Sequence, residues 1–292
     1  MTVRRKTIRA AIEKSHLKQE HDGRQRSRSM PKNHASSVPP VRPPDGPPKN
    51  RLLAALPADD YRRLLPHLKI VPIRVKQVLC KQGEAIQRVL FPNGGVCSVI
   101  GVLATGAMVE CATVGDEGML GIEAFLSDDA VALGETIVQV PDTDAVVLSV
   151  EEFRRELREH GALHRLMGLY TQAVLGQIMQ SAVCNALHDV QQRCVRWLLM
   201  THDRMHEQDF NLSHEFLAMM LGVQRPTVSV IAFKLQEAGF IHYAHGRVTV
   251  RDRKGLEAAS CECYPIIRAH FDRMRQELAG RETQGFAAKQ RA

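Results

Sequence analysis

The sequence predicts an α+β fold in which an N-terminal, jelly-roll-like β-roll is joined through a long helix to a C-terminal winged helix-turn-helix. Three observations lead to this prediction. Short apolar runs separated by turn residues fill residues 50–150, as in small all-β domains. Apolar residues then recur at steps of four and three, the period of a packed helix. Near the C-terminus, two short helical patterns separated by a glycine precede a hairpin pattern.

Length and composition indicate a two-domain protein. The chain has 292 residues, of which 44% are apolar, and this is enough for two domains with their own cores. No apolar run approaches the roughly 18 residues that a membrane helix needs, and the N-terminus lacks an apolar secretory segment. We therefore expect a cytoplasmic protein that has no membrane partner.

Residues 1–49 are predicted to be a disordered basic tail. Residues 1–50 hold 12 Lys and Arg against 4 Asp and Glu, and residues 31–48 hold seven of the 14 prolines. Pro-rich segments favour extended conformations without a core. Such a tail is either a flexible arm or a segment that binds phosphates without sequence preference. The net charge of +7 therefore belongs to the tail and says little about the folded body.

Residues 50–150 are predicted to form the β-roll after two short helices. Seven apolar runs are candidate strands, namely 71–75, 78–80, 89–91, 96–103, 108–114, 136–140 and 145–150. Turn residues such as Gly94-Gly95 and Gly115-Asp116 separate these runs, which favours antiparallel strands joined by tight turns.

Residues 151–186 are predicted to form a long dimerisation helix. Glu151 and Glu152 fit its first turn, where the helix dipole favours acidic side chains. An apolar seam spaced by four and three would pair two copies as in a coiled coil. The seam consists of Leu163, Met167, Tyr170, Val174, Gln177 and Ser181. The alternative is that this face packs on its own β-roll.

Residues 187–265 are predicted to form the winged helix-turn-helix. Its first helix is capped by Ser213 and ends at Gly222, a residue type that adopts the left-handed turn easily. The second helix tolerates Pro226 in its first turn and ends at Gly239. Two short strands on either side of residues 244–246 form the wing. Residues 266–292 are predicted to be a basic extension that is helical over 266–278.

Hydrogen-bonding side chains on and beside the second helix are the candidate DNA contacts, because the start of such a helix can reach base edges in the major groove. Arg225 is the side chain best suited to guanine, whereas Lys234 and Arg247 would hold phosphates. The full candidate set is Ser213, Gln224, Arg225, Thr227, Ser229, Lys234 and Arg247.

This stretch resembles the Crp/Fnr family of bacterial transcription regulators. The resemblance is carried by Leu221-Gly222-Val223, Arg225-x-Thr227-Val228 and Gly239-Phe240-Ile241. It implies a homodimer on a roughly palindromic double-stranded DNA site, with RNA polymerase as a further candidate partner. The resemblance places Arg225 at a base-contacting position. Two other frequent contact positions hold Pro226 and Val230, so the DNA sequence that is recognised should differ from the family's best-known sites.

The resemblance also implies a cyclic-nucleotide-like ligand cassette in the β-roll, at roughly residues 115–140, yet the residues there argue against a nucleotide. The cassette positions are Gly115, Glu123, Glu135 and Thr136. A buried phosphate needs a cation or a helix N-terminus beside it. No Lys or Arg occurs between Arg88 and Arg154, and that stretch holds 11 Asp and Glu. We therefore expect no cofactor, and cyclic-nucleotide binding is the alternative.

The seven cysteines are expected to be free thiols of a reducing cytosol. The sequence contains no Cys-x-x-Cys, and Cys261-x-Cys263 lacks two further ligands nearby, so we predict no metal site. Cys97 and Cys111 lie on predicted strands and could meet across the roll. They are the candidates for a thiol switch, which would make the protein redox-responsive.

Catalytic motifs are missing from the sequence. It contains no P-loop, Gly-x-Ser-x-Gly, His-Glu-x-x-His or GxGxxG, so we expect no enzyme. The sequence predicts a sequence-specific DNA-binding transcription regulator that acts without a cyclic nucleotide. The remaining alternative is a module that binds nucleic acid or protein through its basic tail, without sequence specificity.

Overall fold

The computed structural model describes residues 42–140, 144–159, 161–205 and 209–289, with side chains up to residue 278. The chain divides into Met1–Val38, which lies outside the described residues, and the compact unit Pro39–Ala292. The predicted tail is thus outside the description up to residue 41.

The helices are α1 Arg51–Ala54, α2 Ala58–Leu64, α3 Glu123–Leu126, α4 Val150–Arg158, α5 Ala162–Leu187, α6 Val190–His202, α7 His214–Leu221, α8 Arg225–Glu237, α9 Arg253–Ala258 and α10 Cys263–Lys289. The strands are β1 Lys69–Pro72, β2 Val78–Cys80, β3 Arg88–Pro92, β4 Val96–Val102, β5 Met108–Val114, β6 Glu135–Val140, β7 Asp144–Ser149, β8 Asp209–Asn211, β9 Ile241–Ala244 and β10 Arg247–Val250.

The N-terminal domain is a roll of two antiparallel sheets, in the strand orders β1-β7-β3 and β2-β6-β4-β5. Its core contains the buried side chains of Val89, Phe91, Ile100 and Leu148. Removing such side chains from water is the main driving force for pairing these strands. Each of the seven predicted runs overlaps a strand, and the predicted α+β fold class is confirmed.

The predicted single helix over residues 151–186 is two helices, α4 and α5, because Gly161 interrupts it. Gly161 is extended and forms the N-cap of α5. Asp60 Oδ2 accepts a hydrogen bond from the backbone N–H of Ala162 at 3.1 Å, which satisfies one of the unpaired donors at the start of α5. Upstream, Ser149 caps α4 by accepting from the backbone N–H of Glu152.

The C-terminal domain contains the predicted helix-turn-helix. Ser213 Oγ accepts from the backbone N–H of Phe216 at 3.2 Å and begins α7, and Gly222 ends α7 with φ of +65°. The chain turns by 107° between α7 and α8. His245 and Gly246, both with positive φ, join β9 to β10 in the manner of tight hairpins. A third strand, β8, pairs with β10 and was not predicted, since its three residues are too few to show a period.

The C-terminal extension is the long helix α10, which starts three residues earlier than predicted and lies against α5. Gln180 of α5 contacts Cys263, whereas Gly176 contacts His270, so the two helices run antiparallel. A Cβ at Gly176 would lie 2.8 Å from the His270 ring, and glycine therefore permits the close approach. Among the described residues, no single helix is both long and apolar enough to cross a membrane.

Candidate DNA-binding site

The outward surface of α8 starts with four consecutive exposed residues, 224–227. The opposite face of α8 is buried through Val228, Ile231, Ala232 and Leu235. This apolar stripe fixes the rotation of the helix about its axis. As a result, the first turn of α8, with Gln224, Arg225 and Thr227, faces solvent.

Arg225 is held by an exposed ion pair. Its Nε lies 3.0 Å from Glu215 Oε1, and the two side chains are 65% and 61% exposed. Backbone hydrogen bonding at the start of α7, together with the charge of Arg225, lowers the pKa of Glu215. Ion pairs this exposed contribute little to stability. Replacing the contact between Arg225 and Glu215 by a contact between Arg225 and a nucleic acid would therefore cost little free energy.

Two of the candidate DNA contacts have partners inside the domain. Ser213 caps α7, as described above. Ser229 Oγ donates to the carbonyl of Arg225 at 3.3 Å and lies 2.9 Å from His214 Nδ1. Both hydroxyls thus stabilise the helix-turn-helix, which is a role that the sequence pattern assigned only to Ser213.

His214 is a structural residue of this site that the sequence analysis missed. Its ring stacks on Tyr243 of the wing, with ring centroids 4.4 Å apart. Tyr243 Oη donates to the carbonyl of Leu212 at 2.7 Å and closes the same contact. Burial, followed by the charge of Arg225, lowers the pKa of His214. The wing is therefore attached to the start of α7 by an uncharged ring, for which a lone His gives no sequence signal.

Lys234 and Arg247 lie at the two ends of the exposed surface. Lys234 is in the last turn of α8, beside the groove between α8 and the start of α6 at Asp189 and Val190. Arg247 begins β10 and forms an ion pair with Asp209 of β8. Both side chains are exposed, Arg247 on the wing and Lys234 at the end of α8.

Residues 192–259 match the Crp-like helix-turn-helix domain, a span that includes α7, α8 and the wing. The chain therefore contains a Crp-like helix-turn-helix domain. This match agrees with the resemblance seen in the sequence over α7, α8 and the wing.

Several solved structures share the fold. CLP, the c-di-GMP responsive global regulator of Xanthomonas campestris, is 17% identical over 67% of this chain and 100% of its own, with a TM-score of 0.56. FixK2 from Bradyrhizobium japonicum is 15% identical over 66% of this chain and 98% of its own, with a TM-score of 0.57. TTHB099, a CRP-family regulator from Thermus thermophilus, is 21% identical over 64% of this chain and 95% of its own, with a TM-score of 0.51. Comparison with curated proteins gives no match.

The β-roll contains a cavity of about 290 Å³. Glu123 and Thr136 of the predicted cassette line it, whereas Gly115 and Glu135 do not. Arg88 also lines the cavity and corrects the charge argument, because β3 supplies a cation from outside the predicted cassette. Glu84 and Glu123 still outnumber this guanidinium on the cavity wall.

Gly115 instead lies at the contact between the β-roll and the segment that follows α6. A Cβ on Gly115 would approach Glu117 Oε2 to 2.7 Å and the Arg204 side chain to 2.9 Å. Gly115 therefore allows Arg204 to pack against the turn after β5. The cassette assignment of this glycine is not supported, since the space beside it is occupied by protein.

The predicted dimer seam faces the protein's own body. Leu163, Met167, Tyr170, Val174, Gln177 and Ser181 are all buried within the same chain. Tyr170 Oη donates to the carbonyl of Met119 at 2.9 Å, and Gln177 Nε2 donates to the carbonyl of Thr113 at 3.1 Å. The alternative, that the seam packs on its own β-roll, agrees with the burial of all six side chains and with the contacts of Tyr170 and Gln177.

A second apolar stripe on α5 remains exposed and was missed. It consists of Leu175, Ile178, Met179, Ala182, Val183, Ala186 and Leu187. These positions also recur at steps of three and four, so they form one continuous face. We call this face the α5 stripe.

Two predictions about the cysteines need correction. Cys97 lies opposite Val114 in the β4–β5 ladder, so the register does not pair it with Cys111. Cys261 and Cys263 do have two further potential ligands beside them, since Cys184 and His188 of the α5–α6 junction lie within 4.8 Å. Long separation in the chain hid this group from the sequence analysis.

Proposed function

We propose that this protein is a Crp/Fnr-type transcription regulator, a homodimer that recognises a specific, roughly palindromic DNA sequence with α8 and requires no cyclic nucleotide. The observation that carries the proposal is the exposed first turn of α8 within a Crp-like helix-turn-helix. Its Arg225 is weakly held and suits guanine, which offers two acceptors in the major groove. Gln224 and Thr227 supply further hydrogen-bonding groups beside it.

The α5 stripe supports the dimer. Seven small or apolar side chains on one exposed helix face are an unusual feature for a helix that stays in contact with water. Pairing two copies of α5 along this stripe would bury these side chains and relate two recognition helices by a two-fold axis. Two such helices read two half-sites, and the DNA site is then palindromic.

The β-roll cavity supports independence from cyclic nucleotides. A nucleotide phosphate would face Glu84 and Glu123 with a single guanidinium, that of Arg88, on the wall. Desolvating a phosphate beside carboxylates is unfavourable. Arg88 also favours the second candidate function, a nucleotide-responsive regulator, because it is a cation that a phosphate could use.

The DNA proposal is tested by selecting bound sequences from a random DNA pool and measuring affinity for the winning site. Arg225→Ala should weaken binding to that site by about 1–3 kcal/mol and leave nonspecific binding nearly intact. Arg62→Ala, an exposed arginine on α2, is the matched control and should have no effect. If Arg225→Ala lowered the affinity for all DNA sequences equally, Arg225 would contact only phosphates.

The ligand proposal is tested by calorimetric titration of the full chain with cAMP, cGMP and c-di-GMP. The last is included because CLP is a c-di-GMP responsive regulator. We expect no binding heat. Binding that is lost in Arg88→Gln would instead establish the second candidate function.

A further inference from the structure

Four potential metal ligands meet where α5, α6 and α10 join. Cys184 and His188 come from the end of α5, and Cys261 and Cys263 from the start of α10, with all four donor atoms within 4.8 Å of one another. The three cysteines are buried and His188 is half-buried. This cluster lies outside the recognition helix and the β-roll cavity.

Two donor–donor distances in the cluster are close to those around a tetrahedral zinc ion. Zn–S bonds of about 2.3 Å and Zn–N bonds of about 2.0–2.1 Å separate tetrahedral ligand atoms by roughly 3.5–3.8 Å. Cys184 Sγ and Cys261 Sγ are 3.6 Å apart, and Cys263 Sγ lies 3.4 Å from His188 Nδ1. These two pairs thus have nearly the separations that a single zinc ion requires, and the other donor–donor distances are at most 4.8 Å.

We propose that Cys184, His188, Cys261 and Cys263 bind one Zn²⁺ ion that ties the start of α10 to the α5–α6 junction. A Cys₃His set with four protein ligands is typical of structural zinc sites, which leave no position for a substrate. The soft thiolates favour zinc over magnesium or calcium. A multi-iron cluster would place its cysteine ligands on separate irons and so farther apart.

The groups around the cluster orient the ligands as in known metal sites. The second ring nitrogen of His188, Nε2, lies 3.2 Å from Glu262 Oε2. Histidines that bind metals usually donate this N–H to a carboxylate or a carbonyl, which fixes the tautomer. Gln180 Nε2 lies 3.1 Å from Cys263 Sγ and can donate to a thiolate there. Nδ1 of His188 is thereby directed toward Cys263 and the centre of the cluster.

Charge provides an independent argument. Three thiolates and one Zn²⁺ carry a net charge of −1. Arg196 is buried, interacts electrostatically with Cys184, and its Nε has no hydrogen-bond partner among the described residues. A buried cation without full compensation is costly. The metal–thiolate group would place a negative charge near Arg196, in addition to that of Glu110.

A disulfide explains less of this geometry. The 3.6 Å between Cys184 Sγ and Cys261 Sγ exceeds the bond length of about 2.05 Å. A disulfide between these two residues would also leave Cys263, His188 and the Glu262 contact without a role. The cluster therefore fits a four-ligand metal site better than a two-cysteine switch.

The test is to purify the full chain under reducing conditions and measure its metal content by mass spectrometry. We expect about one zinc per chain. After chelation, titration with Co²⁺ should give the visible bands of tetrahedral cobalt together with thiolate-to-cobalt charge transfer. The combined Cys261→Ser and Cys263→Ser variant should lose both signals, whereas Cys111→Ser, a cysteine of β5, should keep them.

Glu262→Gln is the variant that keeps all four ligands. It should lower zinc affinity about 10–100-fold, since the histidine loses its carboxylate partner, and its folding can be checked by circular dichroism. Metal-free protein that also fails to bind Co²⁺ while the three cysteines of the cluster are reduced would overturn the proposal. So would a Cys184–Cys261 disulfide found by mass spectrometry in place of metal. These outcomes do not depend on DNA binding.

Discussion

Glu117 and Arg204 form a buried ion pair between the β-roll and the turn after α6, which lies inside the span that matches the Crp-like helix-turn-helix domain. Arg204 Nε donates to Glu117 Oε1 at 2.7 Å, and each side chain is less than a tenth exposed. Arg204 also donates to the carbonyl of Met200 at 2.8 Å and lies 3.5 Å from Gln177 Oε1 of α5. One guanidinium therefore connects the roll, α5 and the end of α6. A movement of Glu117 would therefore have to strain or break its contact with Arg204.

Breaking this pair from one side should strongly destabilise the protein. Arg204→Met leaves the Glu117 carboxylate buried without its main partner, and such changes cost about 3–5 kcal/mol. Chemical denaturation measures the loss in the free energy of unfolding. Adding Glu117→Gln should recover part of it, because the uncompensated charge is then removed. Arg62→Ala breaks an exposed pair with Asp59 and should change stability by less than about 1 kcal/mol.

Glu110 should make stability depend on pH. Its carboxylate accepts from Ser98 Oγ at 2.6 Å and from Trp197 Nε1 at 3.2 Å. Burial, only partly offset by these hydrogen bonds and by nearby arginines, raises the pKa of Glu110 to about 7 from its ordinary value of 4.5. The folded state thus favours the protonated form. Its stabilising contribution is complete below pH 4.5 and is lost as the pH rises through about 7.

The comparison of wild type with Glu110→Gln isolates this effect. Between the two pKa values, the wild type should lose a few kcal/mol of unfolding free energy relative to the variant. Denaturation at a series of pH values gives the difference curve. A flat difference curve would show that Glu110 titrates normally in the folded protein.

Replacing either of two glycines of α5 by alanine should change the stability of the protein, in opposite directions at the two positions. Gly168 is exposed, and a Cβ there would meet no described atom within 4 Å, so Gly168→Ala should stabilise the helix by about 0.8–1 kcal/mol. Gly176 packs against the His270 ring at 2.8 Å from its would-be Cβ, so Gly176→Ala should force α10 away from α5 and lower the melting temperature. Thermal unfolding of both variants checks the signs, and stabilisation by Gly176→Ala would contradict this packing.

The α5 stripe should control the oligomeric state. Leu175→Glu with Met179→Glu places two carboxylates in the proposed interface, where burying them is unfavourable. Sedimentation equilibrium should show a shift from dimer to monomer. Leu133→Glu changes an equally exposed leucine of the β-roll and should leave the dimer intact. If the double variant is still a dimer, the dimer interface must lie on another surface.

Local signals in the sequence were sufficient for most of the secondary structure. The seven strand runs, the Ser213 cap and the Gly222 and Gly239 helix ends depend on neighbours within a few residues, through apolar alternation, capping hydroxyls and the freedom of glycine at positive φ. The outward face of α8 was predicted for the same reason, because one apolar stripe leaves only one orientation for that helix.

Tertiary structure decided which face of α5 is buried and which residues meet at its end. Helix α5 has apolar side chains on two faces. The spacing of apolar residues in the sequence is therefore not sufficient to predict which of the two faces packs on the roll. The burial of Tyr170 and Gln177 follows from acceptors on Met119 and Thr113, which lie far away in sequence. Cys184 and Cys261, 77 residues apart, come together only because α10 folds back along α5. The sequence by itself thus determined the elements and the outward face of α8, whereas long-range packing determined the α5 stripe, the Glu117–Arg204 contact and the Cys₃His cluster.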